Sequence, residues 1–445
     1  MNKDSSNMKR ELGLLAAISI VIGNTIGSGI FMIPQGLAAA SNPKSTIIAW
    51  IITSIGSILL CLSFAKLSAV MPKTGGPIVY TKAAFGELPA FLVAWTYWIG
   101  IWVGDAAIIT ASVSYLSYFF PVIASSRLIA FLVCTSILWI FTIINVRGVK
   151  KAGYVGIITT IFKILPLVIF VGIAAMNFQM SNINTVSSKE AAGISTVPIA
   201  VSITLWCFLG LESATLPAGE IKNPEKTIRR STIYGTSIVA VIYLLISILA
   251  MGAMPQTKLA SSNAPLADII NAATDGNWGG GFIALGAIIS ILGTISGWIL
   301  VSGRCSYAAA EEKLFPSIFM KIHPKFKTPY VAIIIASVGT NILLITNYVS
   351  SLTSAFNFIL LLSTLAVLPV YTFTAAAEIM LLSKGSAKAS LFNIIKHSFA
   401  ALLAFAYSIY AIYGTGAETV MYGFILMLAG IPFYVYKKIY TKAKE

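Results

Sequence analysis

Apolar residues run along this chain in long blocks, each closed off by a short stretch of charge, Gly, Pro or Asn. A block of ~20 such residues, rising 1.5 Å per residue as a helix, crosses a hydrocarbon core of about 30 Å. The pattern predicts twelve helices, at roughly 12–39, 45–70, 86–119, 126–146, 152–176, 196–221, 230–255, 279–312, 329–346, 352–382, 393–414 and 418–436. The third and eighth are long for that core, so they are expected to tilt or to project beyond it. No stretch outside the helices exceeds a loop in length, and the expectation is a single all-α polytopic membrane domain spanning residues 1–445.

Composition sharpens this picture. The chain is 57% hydrophobic and only 10% charged, where a soluble domain carries about 25% charged residues; a water-soluble fold is excluded. Its net charge of +15 is dispersed over the loops rather than gathered in a patch, which signals topology and not nucleic-acid binding. With the N terminus placed inside, 23 of the 30 Lys and Arg residues fall in inside loops or termini, four fall outside, and Lys66, Lys163 and Arg304 fall within spans. Cytoplasmic loops retain such residues, so both termini are expected on the cytoplasmic side of the cell membrane. Cys61, Cys134, Cys207 and Cys305 all lie in apolar runs without metal-ligand spacing, so neither a disulfide framework nor a metal site is expected. The first apolar run is too long for a cleavable signal peptide.

Two spans contain an interruption where a helix should be continuous. The first reads Gly23-Asn-Thr-Ile-Gly-Ser-Gly29 and the sixth Thr204-Leu-Trp-Cys-Phe-Leu-Gly-Leu-Glu212. Glycine lowers helix propensity by about 1 kcal/mol per site, so three in seven residues favour local unwinding; close packing through small residues is the alternative. Position decides between them. The first span runs inside to outside and the sixth outside to inside, so two broken helices open two five-helix halves of opposite topology, about 12–176 and 196–382. That is the layout of an inverted-repeat transporter, with the last two helices, about 393–436, as additions.

Ionisable groups in spans are costly and mark functional candidates. Lys66 and Arg304 lie near the inner ends of their helices, where a long stem can reach water. Asp105, Lys163 and Glu212 lie nearer mid-span, and Glu212 could either act in gating or brace the unwound backbone. A broken helix exposes N–H groups on one side and carbonyls on the other. An amino acid matches that polarity: its carboxylate would take the amides of Ser28 and Gly29, its ammonium the carbonyls near Thr25, Trp206 and Leu209. Tyr97, Trp98, Trp206, Phe208 and Trp298 offer flat surfaces that could cover a cationic side chain or close a gate.

The runs Ile22–Phe31, Pro72-Lys-Thr-Gly-Gly-Pro-Ile-Val-Tyr80, Thr204–Ser213 and Glu220-Ile-Lys-Asn-Pro224 resemble the amino acid/polyamine/organocation transporter superfamily over nearly the whole chain. The resemblance is closest to the bacterial arginine/agmatine, putrescine/ornithine and lysine/cadaverine antiporters. It implies a five-plus-five inverted repeat, alternating access and a mid-membrane amino acid site. It further implies that Ser28 and Gly29 bind the carboxylate, that Trp206 caps the substrate, that Trp298 stacks on its cationic head, and that Glu212 serves gating or proton coupling. Two positions depart from the arginine/agmatine pattern: Asp105 stands where that antiporter has Asn, and Lys163 where it has an apolar residue. A lysine at this place looks like the one in proton-coupled and light-chain-type exchangers, where it fills the space of a sodium ion.

The expected function is therefore a sodium-independent secondary transporter, an antiporter of cationic amino acids or their decarboxylated amines. A carrier of small neutral amino acids is the alternative. Two histidines, His323 and His397, without a carboxylate cluster or a phosphate-binding loop argue against an enzyme and a primary pump, and no cofactor is expected. A channel or a non-transporting sensor is separable by counterflow. The expected partners are the amino acid or amine and the bilayer, with no nucleic acid, and a homodimer is left open as the assembly.

Overall fold

The computed structural model describes residues 13–71, 75–148, 152–184, 190–212, 221–274, 276–383 and 391–442. Among them no β-strand occurs and the chain is all-α. From the N terminus the helices are α1 (Leu14–Thr25), α2 (Gly29–Ala40), α3 (Pro43–Val70), α4 (Pro77–Phe85), α5 (Glu87–Leu116), α6 (Val122–Ser125) and α7 (Arg127–Arg147). There follow α8 (Ala152–Met176), α9 (Met180–Asn184), α10 (Val197–Trp206), α11 (Pro224–Ala253), α12 (Gln256–Ser261) and α13 (Pro265–Ala273). The remainder are α14 (Asn277–Glu311), α15 (Tyr330–Leu343), α16 (Thr346–Val349), α17 (Leu352–Ser383), α18 (Leu391–Gly414), α19 (Ala417–Leu428) and α20 (Ile431–Lys442).

Eight helical stretches among the described residues are long and apolar enough to cross a membrane, and the chain is a multi-pass membrane protein. Local chemistry sets several boundaries. Asn42 caps α3 by accepting from the Ser45 amide at 2.8 Å, with Pro43 in the first turn where no N–H is needed. The 35 residues of α14 amount to roughly 52 Å of helix, well beyond the hydrocarbon core.

The two interruptions expected in the first and sixth helices are present, and the structure departs from the sequence pattern in two further places. The first predicted helix is two helices, α1 and α2, with Ile26–Ser28 between them. In the sixth, α10 stops at Trp206, and the turn after it passes through Gly210 at φ +98°, a conformation that suits glycine. The loop preceding the third contains α4, whose start is built by Gly75 and Gly76 at positive φ and Pro77 behind them. The last predicted helix is divided at Ala429 and Gly430 into α19 and α20. Pro432 has no N–H to offer the Leu428 carbonyl, and the Trp95 indole instead bonds the Leu426 carbonyl at 2.8 Å.

Two helix groups can be distinguished: α11 packs on α1 and α3, and α3 on α10, whereas α5 is gripped by α14 and α17; α3 and α17 also touch each other, and both pack on α18. At one end Lys82 bonds Glu312, Lys438 bonds Glu87, and Thr328 bonds the Val146 carbonyl; this is the basic end. At the opposite end α12 lies over α2, where Gln35 donates to the Ala260 carbonyl at 2.7 Å and Gln256 to the carbonyls of Ala38 and Ser41.

Candidate functional site

The gap between α1 and α2 leaves the last carbonyls of α1 without amides from a following turn, and buried carbonyls need partners. The chain supplies them from the residue just past α1 and from two other helices. Ile22 is satisfied by the Ile26 amide at 2.8 Å. The ammonium of Lys163, on α8, donates to the Gly23 carbonyl at 2.8 Å and the Ile26 carbonyl at 3.2 Å, and to the Thr294 hydroxyl of α14 at 2.9 Å. The Tyr243 hydroxyl, from α11, donates to the Thr25 carbonyl at 2.7 Å. Lys163 is buried, so its charge is met entirely by oxygens of the break and of α14.

The other side of the gap is a helix start. The amides of Ser28, Gly29 and Ile30 have no acceptor within α2, and Ser28 and Gly29 line a cavity between the helices. One wall comes from α5, where Tyr97, Gly100, Ile101, Gly104 and Ile108 recur at helical spacing. The side chains of Trp206 and Cys207 and the backbone turn through Leu209 form another, and Thr294, Trp298, Ser363 and Val367 complete the enclosure. Backbones approach closely here: a Cβ on Gly29 would lie 2.7 Å from Cys207 Sγ, and one on Gly104 3.2 Å from the Trp206 ring.

Glu212 also lines the cavity, toward the basic end, and its side chain is buried. Tyr97 donates to its Oε1 at 2.8 Å and Tyr371, on α17, to its Oε2 at 3.0 Å. The carboxylate thereby joins the segment after α10 to α5 and α17 beneath the cavity. Glu212 thus borders the cavity while its carboxylate is held by two tyrosines of neighbouring helices.

Of the predicted site residues, Thr25, Ser28, Gly29, Tyr97, Trp206, Leu209, Glu212 and Trp298 come together on this cavity. Three do not line it. Lys163 sits behind the break as described. Phe208 is packed edge-on against Trp50 and Tyr243, at 6.2 and 5.8 Å between ring centroids. Asp105 is buried in α5, one position past the lining residue Gly104, and its Oδ1 has no hydrogen-bond partner among the described residues. Sequence reasoning missed Cys207, Thr294, Ser363, Tyr243 and Tyr371; their small or hydroxyl-bearing side chains stand in apolar runs and carry no charge to flag them. It also missed Glu378 and gave Lys66 a route to solvent, whereas Lys66 bonds Glu378 at 2.7 Å. Pro72, Lys73, Thr74, Ser213 and Glu220 of the motifs lie outside the described residues, as do the side chain of His397 and the chain ends used in the charge count.

Comparison with known proteins finds matches over nearly the whole chain. The family profile described as amino acid permease matches residues 12–434. A protein of Chlamydia pneumoniae named arginine/agmatine antiporter is 31% identical over 448 residues, covering 96% of this chain and 90% of its own length. An arginine/ornithine antiporter of Latilactobacillus sakei is 31% identical over 438 residues, with the same two coverages of 96% and 90%. An arginine/agmatine antiporter of Chlamydia abortus is 30% identical over 455 residues, 98% of this chain and 91% of that one.

Proposed function

The chain belongs to the amino acid permease family, and from that premise we propose that it is a sodium-independent antiporter of cationic amino acids and their decarboxylated amines, working by alternating access. In this reading the twelve apolar segments are twelve spans, arranged as two inverted five-helix halves and two added helices. The basic end faces the cytoplasm, with both termini, in the cell membrane. The observation that carries the reading is the polarity of the break. Free amides of α2 face a cavity and suit a carboxylate, while the carbonyl side is held by the Lys163 ammonium where a sodium ion would otherwise be needed. Trp206 and Trp298 cover the substrate, and Glu212 with its two tyrosines gates the way to the basic end.

The cationic assignment draws on the relatives' names and on charge. Asp105 and Glu212 are two buried acids near the cavity against the single ammonium of Lys163, so a substrate carrying an extra positive charge balances the set. The test is counterflow in liposomes preloaded with arginine, ornithine, agmatine, alanine or serine. Arginine and its close relatives are expected to drive exchange with choline in place of sodium. Exchange confined to alanine and serine, or strong sodium stimulation, would overturn the substrate or the coupling assignment respectively. Asp105→Asn should weaken arginine exchange by about 2 kcal/mol while leaving any residual neutral exchange nearly unchanged.

A further inference from the structure

Neither the cavity nor the proposed transport cycle uses Lys66 or Glu378. Lys66 belongs to α3 and Glu378 to α17; α3 packs most on α11 and α10 and α17 most on α5, while the two also touch directly and both pack on α18. Their side chains meet Nζ to Oε1 at 2.7 Å. The pair is lopsided. The Lys66 side chain is 38% exposed and that of Glu378 only 1%, so a cation at the water boundary reaches down to a carboxylate in the interior. The second carboxylate oxygen, Oε2, has no partner among the described residues. Lys66 is thus the sole charge compensation the described residues give Glu378, and a buried carboxylate stripped of its counterion is strongly disfavoured.

Two consequences follow from that lopsidedness. While α3 and α17 stay together, the pair favours their contact. When they part, water reaches Glu378 and hydrates it, so the carboxylate itself then favours the open arrangement. Glu378 also stands seven residues, two helical turns, after Tyr371, so one face of α17 carries both the Glu378 tie and the hydroxyl held by Glu212.

We infer that the Lys66–Glu378 pair is a latch between the two helix groups at the basic end, closed when the cavity is shut toward that end and broken when it opens there. The inference rests on the alternating-access reading given above. It assigns Lys66 a role in setting which side the cavity faces and none in binding substrate.

The test uses the full-length protein with Cys207, which lines the cavity, as its one remaining thiol, after Cys61→Ser, Cys134→Ala and Cys305→Ala. A membrane-impermeant thiol reagent is applied to right-side-out and to inside-out vesicles. Lys66→Met leaves the buried carboxylate uncompensated and is expected to speed labelling from the basic end by about tenfold and to slow it from the opposite end, a shift within the usual span of conformational coupling. Glu378→Gln should move both rates in the same directions, and the charge swap Lys66→Glu with Glu378→Lys should return them toward the parent. Parent-like rates in both single variants, faster labelling from both ends at once, or a swap no better than Lys66→Met would each overturn the latch alone. Cys207 of the parent reacting from one end only, whatever substrate is present, would overturn alternating access and the latch with it.

Discussion

The two sides of the gap between α1 and α2 are treated in opposite ways. On the carbonyl side the protein fills its own vacancies: Lys163 takes Gly23 and Ile26, and Tyr243 takes Thr25. On the amide side no backbone acceptor among the described residues takes the amides of Ser28 and Gly29, which stand on the cavity wall. The positive charge the break requires is therefore built in permanently, while the negative charge it attracts is left for a ligand to bring. In the proposed reading an amino acid brings that charge as its α-carboxylate, a decarboxylated amine leaves the amides without it, and the side chain is read elsewhere.

This contrast can be broken from either side. Lys163→Ala strands two buried carbonyls and a hydroxyl, each loss being about 1–3 kcal/mol, so exchange is expected to fall about a hundredfold or more at near-normal abundance in the membrane. Near-parental exchange in that variant would show that the carbonyl side does not depend on the fixed ammonium. Gly29→Val drives a side chain into Cys207 Sγ at the amide side. Overpacking of this kind typically amounts to about 1–3 kcal/mol, so equilibrium binding of labelled arginine should weaken by about ten- to a hundredfold while thermal stability in detergent drops only modestly. Unchanged affinity would mean that the amides of the gap do not hold the ligand.

Smaller changes grade the two sides. Tyr243→Phe removes one donor from the Thr25 carbonyl and is expected to slow exchange by about fivefold, from about 1 kcal/mol, with Lys163 still in place. An effect as large as that of Lys163→Ala would make the hydroxyl, and not the ammonium, the principal support. Ser28→Ala keeps the amide and loses only the hydroxyl, so arginine affinity should stay within about twofold to threefold, the low end of a single hydrogen bond's net contribution. A tenfold loss would place the hydroxyl among the carboxylate's partners.

Much of this was legible in the sequence. Helix positions follow from apolar runs because the bilayer admits few alternatives for an unpaired backbone, and the predicted 152–176 and 352–382 correspond to α8 and α17 within a residue. The break was legible too, since Gly23, Gly27 and Gly29 crowd into seven residues. What escaped was whatever depends on which helices become neighbours. Tyr371 and Glu378 stand in one apolar run, and only packing brings the first to Glu212 and the second to Lys66. Asp105 shows the complementary difficulty. Asp105 and Tyr97 stand eight residues apart on α5, a spacing of roughly one helical face, yet the lining falls on Tyr97, Ile101, Gly104 and Ile108, so the carboxyl lies to one side of the cavity. A helical repeat gives a face to within a wide arc, and one residue's step of about 100° separates lining from burial behind it.

The ends of the molecule are tied with different chemistry, and the bathing solution reads that difference. At the basic end Lys82 and Glu312 are 30% and 34% exposed, and Lys438 and Glu87 about half exposed; such pairs are screened over a Debye length of about 10 Å at 0.1 M salt. At the opposite end the ties are amides on carbonyls, Gln35 on Ala260, Asn357 on Gln35 and Gln256 on Ala38, which carry no net charge for ions to screen. Ionic strength is therefore expected to act mainly on the basic end, and in the alternating-access reading salt on a single side of a vesicle would bias the direction in which the cavity faces.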